Sequence, residues 1–416
     1  MVIKRDTYLK KLISVQHNGM IKIITGIRRC GKSFLLATIY TGWLREHGVD
    51  AAHIIHINLE DRRNRSLRDP DKLLEHIDSR IKDDRMHYIM IDEIQHVPEF
   101  EDVLNSYLGM NNADVYVTGS NARFLSKDVV TTFRGRGFQI RVNPLSFSEY
   151  LPASGLSKED GLVEYMYYGG LPQVVLLKES EEKRVYLKDI FTQTYIKDIV
   201  ERYHIKHTEM LDELLNILAS GIGALTNPGK LANTFESVHR EKVNRATLAS
   251  YLEYLGDAFI TERAERYDIK GKRYIDSPYK YYFTDNGLRN ARLNFRQVER
   301  SHIMENIIYN ELIFRGFNVD VGVVPIQRME GGLRKRSQLE VDFVCNKGYL
   351  RYYIQAALEM STDEKIRQEM ASLRNIDDSF KKIVIVGYHQ PLYRNEDGFT
   401  IISIYDFLLK ENSLEL

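Results

Sequence analysis

Apolar residues follow two rhythms along this chain. Up to about residue 150, short runs rich in Ile, Val and Tyr (21–25, 53–57, 88–91, 115–118 and 138–142) are separated by longer stretches with helical spacing. Such runs, apolar on both faces and alternating with helices, predict buried strands in βαβ units of a parallel sheet. Pro144 and the Ser146-Phe147-Ser148-Glu149 stretch close this block. Residues 151–205 read as helical, punctuated by Gly169, Gly170 and Pro172. Three helical segments follow (209–219, 230–235 and 245–258). Asn244 caps the last, and Leu248, Leu252 and Leu255 form its inner stripe. A hairpin with Gly271 in its turn ends the block, giving winged-helix order over 206–295. The remainder, 296–416, predicts a helix at 303–314, strands at 338–344 and 350–356, a helix at 363–373, and strands at 383–386 and 400–404. An N-terminal domain over 1–150, a helical linker or lid over 151–205 and two further modules are therefore expected. No repeat interrupts the pattern.

The junction between the first strand and its helix carries the sharpest chemistry. Gly26-Ile27-Arg28-Arg29-Cys30-Gly31-Lys32-Ser33 matches G-x-x-x-x-G-K-[ST], with Phe34 opening the helix. The glycines let backbone N–H groups wrap a phosphate, and the helix N-terminus adds positive potential. Lys32 can reach β- and γ-phosphates, and Ser33 can ligate Mg²⁺. Arg28 and Arg29 add local positive charge.

The run at 88–91 ends in Asp92-Glu93, at the edge where α/β sheets bind ligands. Asp92 there can hold Mg²⁺ through water, and Glu93 can polarise an attacking water. The strand 115–118 leads into Gly119-Ser120-Asn121, so Thr118, Ser120 and Asn121 all qualify as the polar group beside the γ-phosphate. Arg134 and Arg136, in Phe133-Arg134-Gly135-Arg136-Gly137, are candidates for the arginine that stabilises a transferring phosphoryl group, in cis or from a neighbouring copy.

Together, the loop 25–33, the edge 91–93 and the segment 117–120 resemble the prokaryotic AAA+ ATPases that carry a C-terminal domain of long-unassigned function. The resemblance continues through Tyr195-Ile196-Lys197-Asp198-Ile199 and the segments 280–288, 305–312 and 340–344, and so spans nearly the whole chain. It implies an α/β P-loop NTPase fold with a parallel sheet, followed by a winged-helix module and an α/β restriction-endonuclease-like module. ATP and Mg²⁺ are the implied ligands.

In the hairpin region charge is uneven: residues 263–296 hold nine basic and four acidic side chains, interleaved with tyrosines. Lys270, Lys272 and Arg273 could contact phosphates, and Arg245 and Thr247, early in the third helix, could enter a major groove. A protein-docking role for the same module is the alternative. In the last block, Glu311, Asp342 and Gln355 have the order of a PD-(D/E)XK metal site. That chemistry also needs a lysine two positions after the second ligand, and Ala357 stands there. A nuclease-like fold without cleavage is the expectation, with an ATP-dependent nuclease as the rival.

Lys plus Arg equal Asp plus Glu at 58 each, which excludes a polybasic or polyacidic chain but not local patches. Two cysteines make no disulfide framework and fit a reducing compartment. One of them, Cys30, lies inside the phosphate loop and is expected to be open to thiol reagents. No secretory or membrane-spanning segment is visible, so the cytoplasm is the expected location. Oligomers are open: an arginine supplied in trans would require one.

Overall fold

Parallel pairing of β-branched runs organises the N-terminal part of the protein. β1 (Ile21–Thr25), β2 (Ile54–Asn58), β3 (His87–Asp92), β4 (Ala113–Thr118) and β5 (Gly137–Arg141) form one parallel sheet in the order β2-β3-β4-β1-β5. These strands match the five predicted runs to within two residues at either end. The computed structural model describes residues 2–119, 135–239, 242–296, 298–330 and 333–416. The chain forms two compact units: Met1–Pro144 with Asp257–Phe259, and Leu145–Gly256 with Ile260–Leu416.

In the first unit the middle of one sheet face, over β1 to β4, is an apolar cluster. Ile21, Ile23, Ile55, Ile57, Ile89, Ile91, Val115 and Val117 pack there against Leu73, Ile77 and Leu104. The opposite face holds a polar network instead. Lys22 and Asp114 form a buried ion pair, Tyr116 donates to Asp114 at 2.7 Å, and the Tyr40 and Tyr116 hydroxyls are 2.5 Å apart. Burial pulls the Lys22 pKa down, while its hydrogen bond to Asp114 opposes that shift. Tyr40 comes from the helix after the phosphate loop. That helix runs Lys32–Phe34, loosens into a π-helical turn at Leu35–Tyr40 and resumes at Thr41–Glu46.

In the second unit the hairpin of β6 (Thr261–Asp268) and β7 (Arg273–Phe283) does not stand alone. It continues a sheet with β8 (Asn318–Glu330), β9 (Leu333–Lys347), β10 (Leu350–Ala357), β11 (Lys381–Val386), β12 (Tyr393–Arg394) and β13 (Thr400–Ser403). The order is β12-β13-β11-β10-β9-β8-β6-β7, with β6 parallel to β8 through Arg266↔Val321 and Asp268↔Val323. The sheet thus crosses position 295, where the sequence pattern divides two modules. The reason is that the exposed edge of β6 has backbone groups to satisfy, and β8 satisfies them. β8 has no counterpart among the predicted strands. Helix Asp363–Arg374 covers one sheet face through Met370 and Leu373, which pack on Val341, Tyr353, Val384 and Ile401. Helix Arg300–Phe314 lies on the sheet too, with the Tyr309 ring stacked 4.1 Å from that of Tyr282. The helices of 151–205 belong to this same unit: Asn290 donates to the carbonyls of Met166 and Tyr167, and Gly170 N–H donates to Asp285 at 2.7 Å.

The Lys22–Asp114 pair predicts a sharp asymmetry. Asp114→Leu leaves a buried ammonium without its counter-ion and should cost ~3–5 kcal/mol, whereas adding Lys22→Met should restore much of that. Urea-unfolding midpoints of the two variants and the wild type measure this. A double variant as unstable as Asp114→Leu alone would contradict it.

Candidate functional site

The phosphate loop leaves β1 at Thr25 and turns sharply. Gly26 has φ +138°, and a Cβ there would sit 2.0 Å from the Val142 carbonyl oxygen, so only glycine fits. Gly31, also in the left-handed region, immediately precedes the helix. The buried Lys32 ammonium donates to the loop carbonyls of Gly26 and Ile27 at 2.9 and 3.2 Å. Ser33 and Phe34 are exposed, as is Arg29, and Arg28 pairs with Glu60 at 2.5 Å. Cys30 corrects an expectation. It is fully buried with Sγ 3.2 Å from the Val142 carbonyl, so it anchors the loop from below and is shielded from thiol reagents. Arg5 holds the same turn from the other side, donating to the Cys30 carbonyl at 3.2 Å.

Strand order completes the site. β4 lies between β1 and β3, which places Thr118 between the loop and the acidic edge. The Thr118 hydroxyl donates to Asp92 and accepts from the Glu93 N–H at 3.0 Å. Asp92 is buried, which raises its pKa, while hydrogen bonds from Thr118 and Ser33 pull it back down. Glu93 is also buried and takes a left-handed backbone (φ 56°), an uncommon choice for a residue with a side chain. Its carboxylate accepts from Gln95. Strain of this kind concentrates at functional sites.

Among the arginine and polar candidates, Ser120, Asn121 and Arg134 lie outside the described residues. Arg136 does not reach the site in its own chain. Its carbonyl accepts from the Ile21 N–H at 2.9 Å, at the start of β1, whereas the loop leaves the other end of that strand. Arg141, besides Arg5 and the loop's own Arg28 and Arg29, stands at the loop end of the sheet, opposite Thr25 in register, its guanidinium 5.0 Å from the Phe259 ring. In the sequence it is one position inside the run 138–142, with no signal that marks it.

A second cluster sits in the other unit. Lys280 of β7 is buried, with Nζ 2.8 Å from Glu305, 2.7 Å from Glu340 and 3.9 Å from Asp342. Tyr282 also donates to Glu305, at 2.6 Å, and Asp342 accepts from the Ala356 N–H at 2.8 Å. Burial lowers the Lys280 pKa, but the attraction of the three carboxylates outweighs it and leaves the pKa raised. Of the expected trio only Asp342 belongs here. Glu311 is a correction: it pairs with Arg315 at 2.7 Å, because six helical positions rotate it about 120° away from Glu305. Gln355 accepts from Ser372 at 3.3 Å, and Ala357 is buried in the apolar core. Glu340 and Asp342 share one strand face, a readable signal. Lys280 arrives from a distant hairpin and gave none.

At the hairpin turn Lys270, Lys272 and Arg273 are exposed; Lys270 and Arg273 stand 3.8 Å from Asp377 and Asp268. Arg245 is exposed and Thr247 half-buried at the start of their helix. The basic count of this region overstates its surface. Lys280 and Arg289 are buried, and Arg292 is tied to Asp212 at 3.0 Å.

Asp342 generates a pH prediction. Burial, aided by Glu305, pushes its carboxyl up to about 8, against ~3.9 in an unfolded chain. The folded protein then holds this proton where the unfolded chain has released it. That contribution is complete below pH ~4 and is lost as pH rises toward 8. The melting temperature should fall across that window, and Asp342→Asn should fall less steeply; equal slopes in thermal scans would contradict the assignment.

Comparisons with known proteins agree with the nucleotide edge. Residues 18–151 match the family model described as AAA domain (AAA_14), and residues 159–299 match one described as a domain of unknown function (DUF8612). An uncharacterized protein of Haemophilus influenzae is 33% identical over 416 residues, covering 98% of this chain and 99% of that protein. An uncharacterized protein of Methanocaldococcus jannaschii is 29% identical, covering 100% of this chain and 89% of its own. Among solved structures, the Aeropyrum pernix ORC2 protein overlays at a TM-score of 0.36 and 13% identity, over 74% of this chain and 92% of that one. Among the described residues no helix is long and apolar enough to cross a membrane. With its phosphate loop, acidic edge and full-length relative, the chain belongs to the family of the Haemophilus influenzae protein, and its N-terminal region is an AAA domain of the P-loop ATPase type.

Proposed function

We propose that the protein binds ATP with Mg²⁺, hydrolyses it, and uses the cycle to act on DNA through its C-terminal region. The observation that carries the nucleotide part is the Thr118 hydroxyl joining Asp92 to the Glu93 backbone beside the phosphate loop. The loop fits a phosphate chain: backbone fills the space at Gly26, leaving no room for a Cβ, and among the described residues Lys32 is tethered by the carbonyls of Gly26 and Ile27, which a phosphate can replace. Ser33 and Asp92 would hold Mg²⁺, which supplies charge neutralisation and polarises the terminal phosphoryl oxygen. Lys32 orients the phosphates. Glu93 takes a proton from the attacking water, and Gln95 fixes the direction of its carboxylate. Arg141 in cis, or Arg134 or Arg136 from a neighbouring copy, supplies the remaining positive charge.

For the C-terminal region we infer a winged helix whose wing joins a nuclease-like sheet. The order helix Arg300–Phe314, β8, β9, β10, helix Asp363–Arg374, β11 supports that reading. So does the placement of Asp342 and Gln355 on adjacent strands. Ala357 and the engagement of Lys280 by Glu305 and Glu340 argue against cleavage. A second reading, a nucleotide switch that docks a protein partner, gains from the inward-facing Lys280 and Arg289, which shrink the basic surface.

Lys32→Ala should abolish ATP binding. Glu93→Gln should retain it while turnover falls ~10²–10⁴-fold, and single-turnover assays with labelled ATP separate the two effects. Wild-type turnover by Glu93→Gln would remove the base assignment. Duplex or single-stranded DNA should stimulate the ATPase, with stimulation fading as salt rises. Indifference to DNA favours the protein-docking reading, and Mg²⁺-dependent DNA cleavage lost in Asp342→Ala would establish the nuclease instead.

A further inference from the structure

The end of the N-terminal sheet remote from the phosphate loop holds a cluster that nucleotide chemistry does not use. His53 closes the turn Ala51–His53 that leads into β2, and His87 is the first residue of β3. β2 and β3 run parallel in the register Ile54↔Tyr88. The two histidines therefore stand side by side one step earlier, with ring centroids 4.6 Å apart. Asp83, in the charged segment before β3, lies 3.0 Å from Nε2 of His53. One ligand atom from each of His53, Asp83 and His87 falls within 4.8 Å of the other two.

Two imidazoles and a carboxylate are a donor set for a divalent transition metal, with zinc bonds of ~2.0–2.2 Å. Tetrahedral bonds of that length separate ligand atoms by roughly 3.3 Å. The His53–Asp83 spacing, 3.0 Å, is already near that value, and drawing His87 in from within 4.8 Å takes a shift of at most ~1.5 Å. The surroundings orient the ligands as metal sites require. Nδ1 of His87 lies 2.7 Å from the Arg85 carbonyl. Donation there leaves the Nε2 lone pair available. Asn112 donates to the Asp83 carbonyl at 3.0 Å and accepts from the His87 N–H at 2.8 Å, so the segment is held at both ends. Both imidazoles are buried, whereas Asp83 is 39% exposed and gives a path of entry.

One cation already competes. Arg85 donates to Asp83 at 3.0 and 2.9 Å and to Asp50 at 3.0 Å. Arg85 is 65% exposed and can swing into solvent at little cost.

We propose that His53, Asp83 and His87 form a binding site for a divalent transition metal of the zinc class, which fastens the segment before β3 to the entrance of β2. β3 separates this site from Asp92 by five residues, about 16 Å of strand, so it acts on the architecture of the sheet and not on phosphate chemistry.

Chelator-stripped full-length protein titrated with Zn²⁺ tests this, read by calorimetry and by metal retained after desalting, with the zinc X-ray absorption edge reporting the ligands. Wild type should hold one equivalent on nitrogen and oxygen ligands with imidazole scattering. Asp83→Asn, at an exposed position compatible with folding, and His87→Gln should each weaken binding at least tenfold. Arg85→Ala should bind zinc at least as tightly as wild type, because it removes the competing cation; a purely structural ion-pair cluster has no reason to respond that way. Retention below a tenth of an equivalent, wild-type affinity in Asp83→Asn, or loss of binding in Arg85→Ala would each overturn the proposal.

Discussion

One hydroxyl group organises the N-terminal unit. Thr118 stands where β4 is inserted between β1 and β3, and its oxygen serves Asp92 as donor and the Glu93 N–H as acceptor. A carboxylate as buried as Asp92 is costly unless something hydrogen-bonds it, and Thr118 and Ser33 meet that need. The same contact holds the turn in which Glu93 takes its left-handed conformation. Strand order, carboxylate burial and backbone strain are thus consequences of one arrangement. It would lose its purpose if β4 paired elsewhere.

The C-terminal unit is organised by charge in a different way. A lysine from the hairpin enters the place where three acidic side chains converge, and its ammonium offsets the cost of burying them so close together. Removing one partner of such a group costs more than never having built it. Lys280 therefore ties the hairpin to helix Arg300–Phe314 and to β9, and the eight-stranded sheet follows from that attachment. This explains why the hairpin of a nominal winged helix is inseparable from the strands that follow it.

The five parallel strands and the phosphate loop were legible because they depend on local signals: runs of Ile and Val, and a spaced set of glycines before Lys32. The acidic edge was legible for the same reason. Three features were not. β8 escaped because Gly322 and Pro325 interrupt its alternation. Glu305 gave no signal of its own, because Glu311 is an acidic residue of the same helix and only the side facing the cluster distinguishes them. Lys280 was invisible because its place depends on pairing across long sequence separations. The charge count over 263–296 misled in a related way: Arg289 and Lys280 are basic in the sequence but satisfied inside the fold.

Hydrogen–deuterium exchange with and without Mg²⁺ and ATP addresses the nucleotide site without altering a residue. The structure predicts slower exchange, on adding nucleotide, at the loop 26–33 and at the 92–95 turn together, since the hydrogen bond of Ser33 to Asp92 couples the loop to the acidic edge, with little change at the Lys270–Arg273 hairpin tip in the absence of DNA. Protection confined to the loop would break the link between phosphate binding and the acidic edge. No protection at either segment would contradict nucleotide binding at this site altogether.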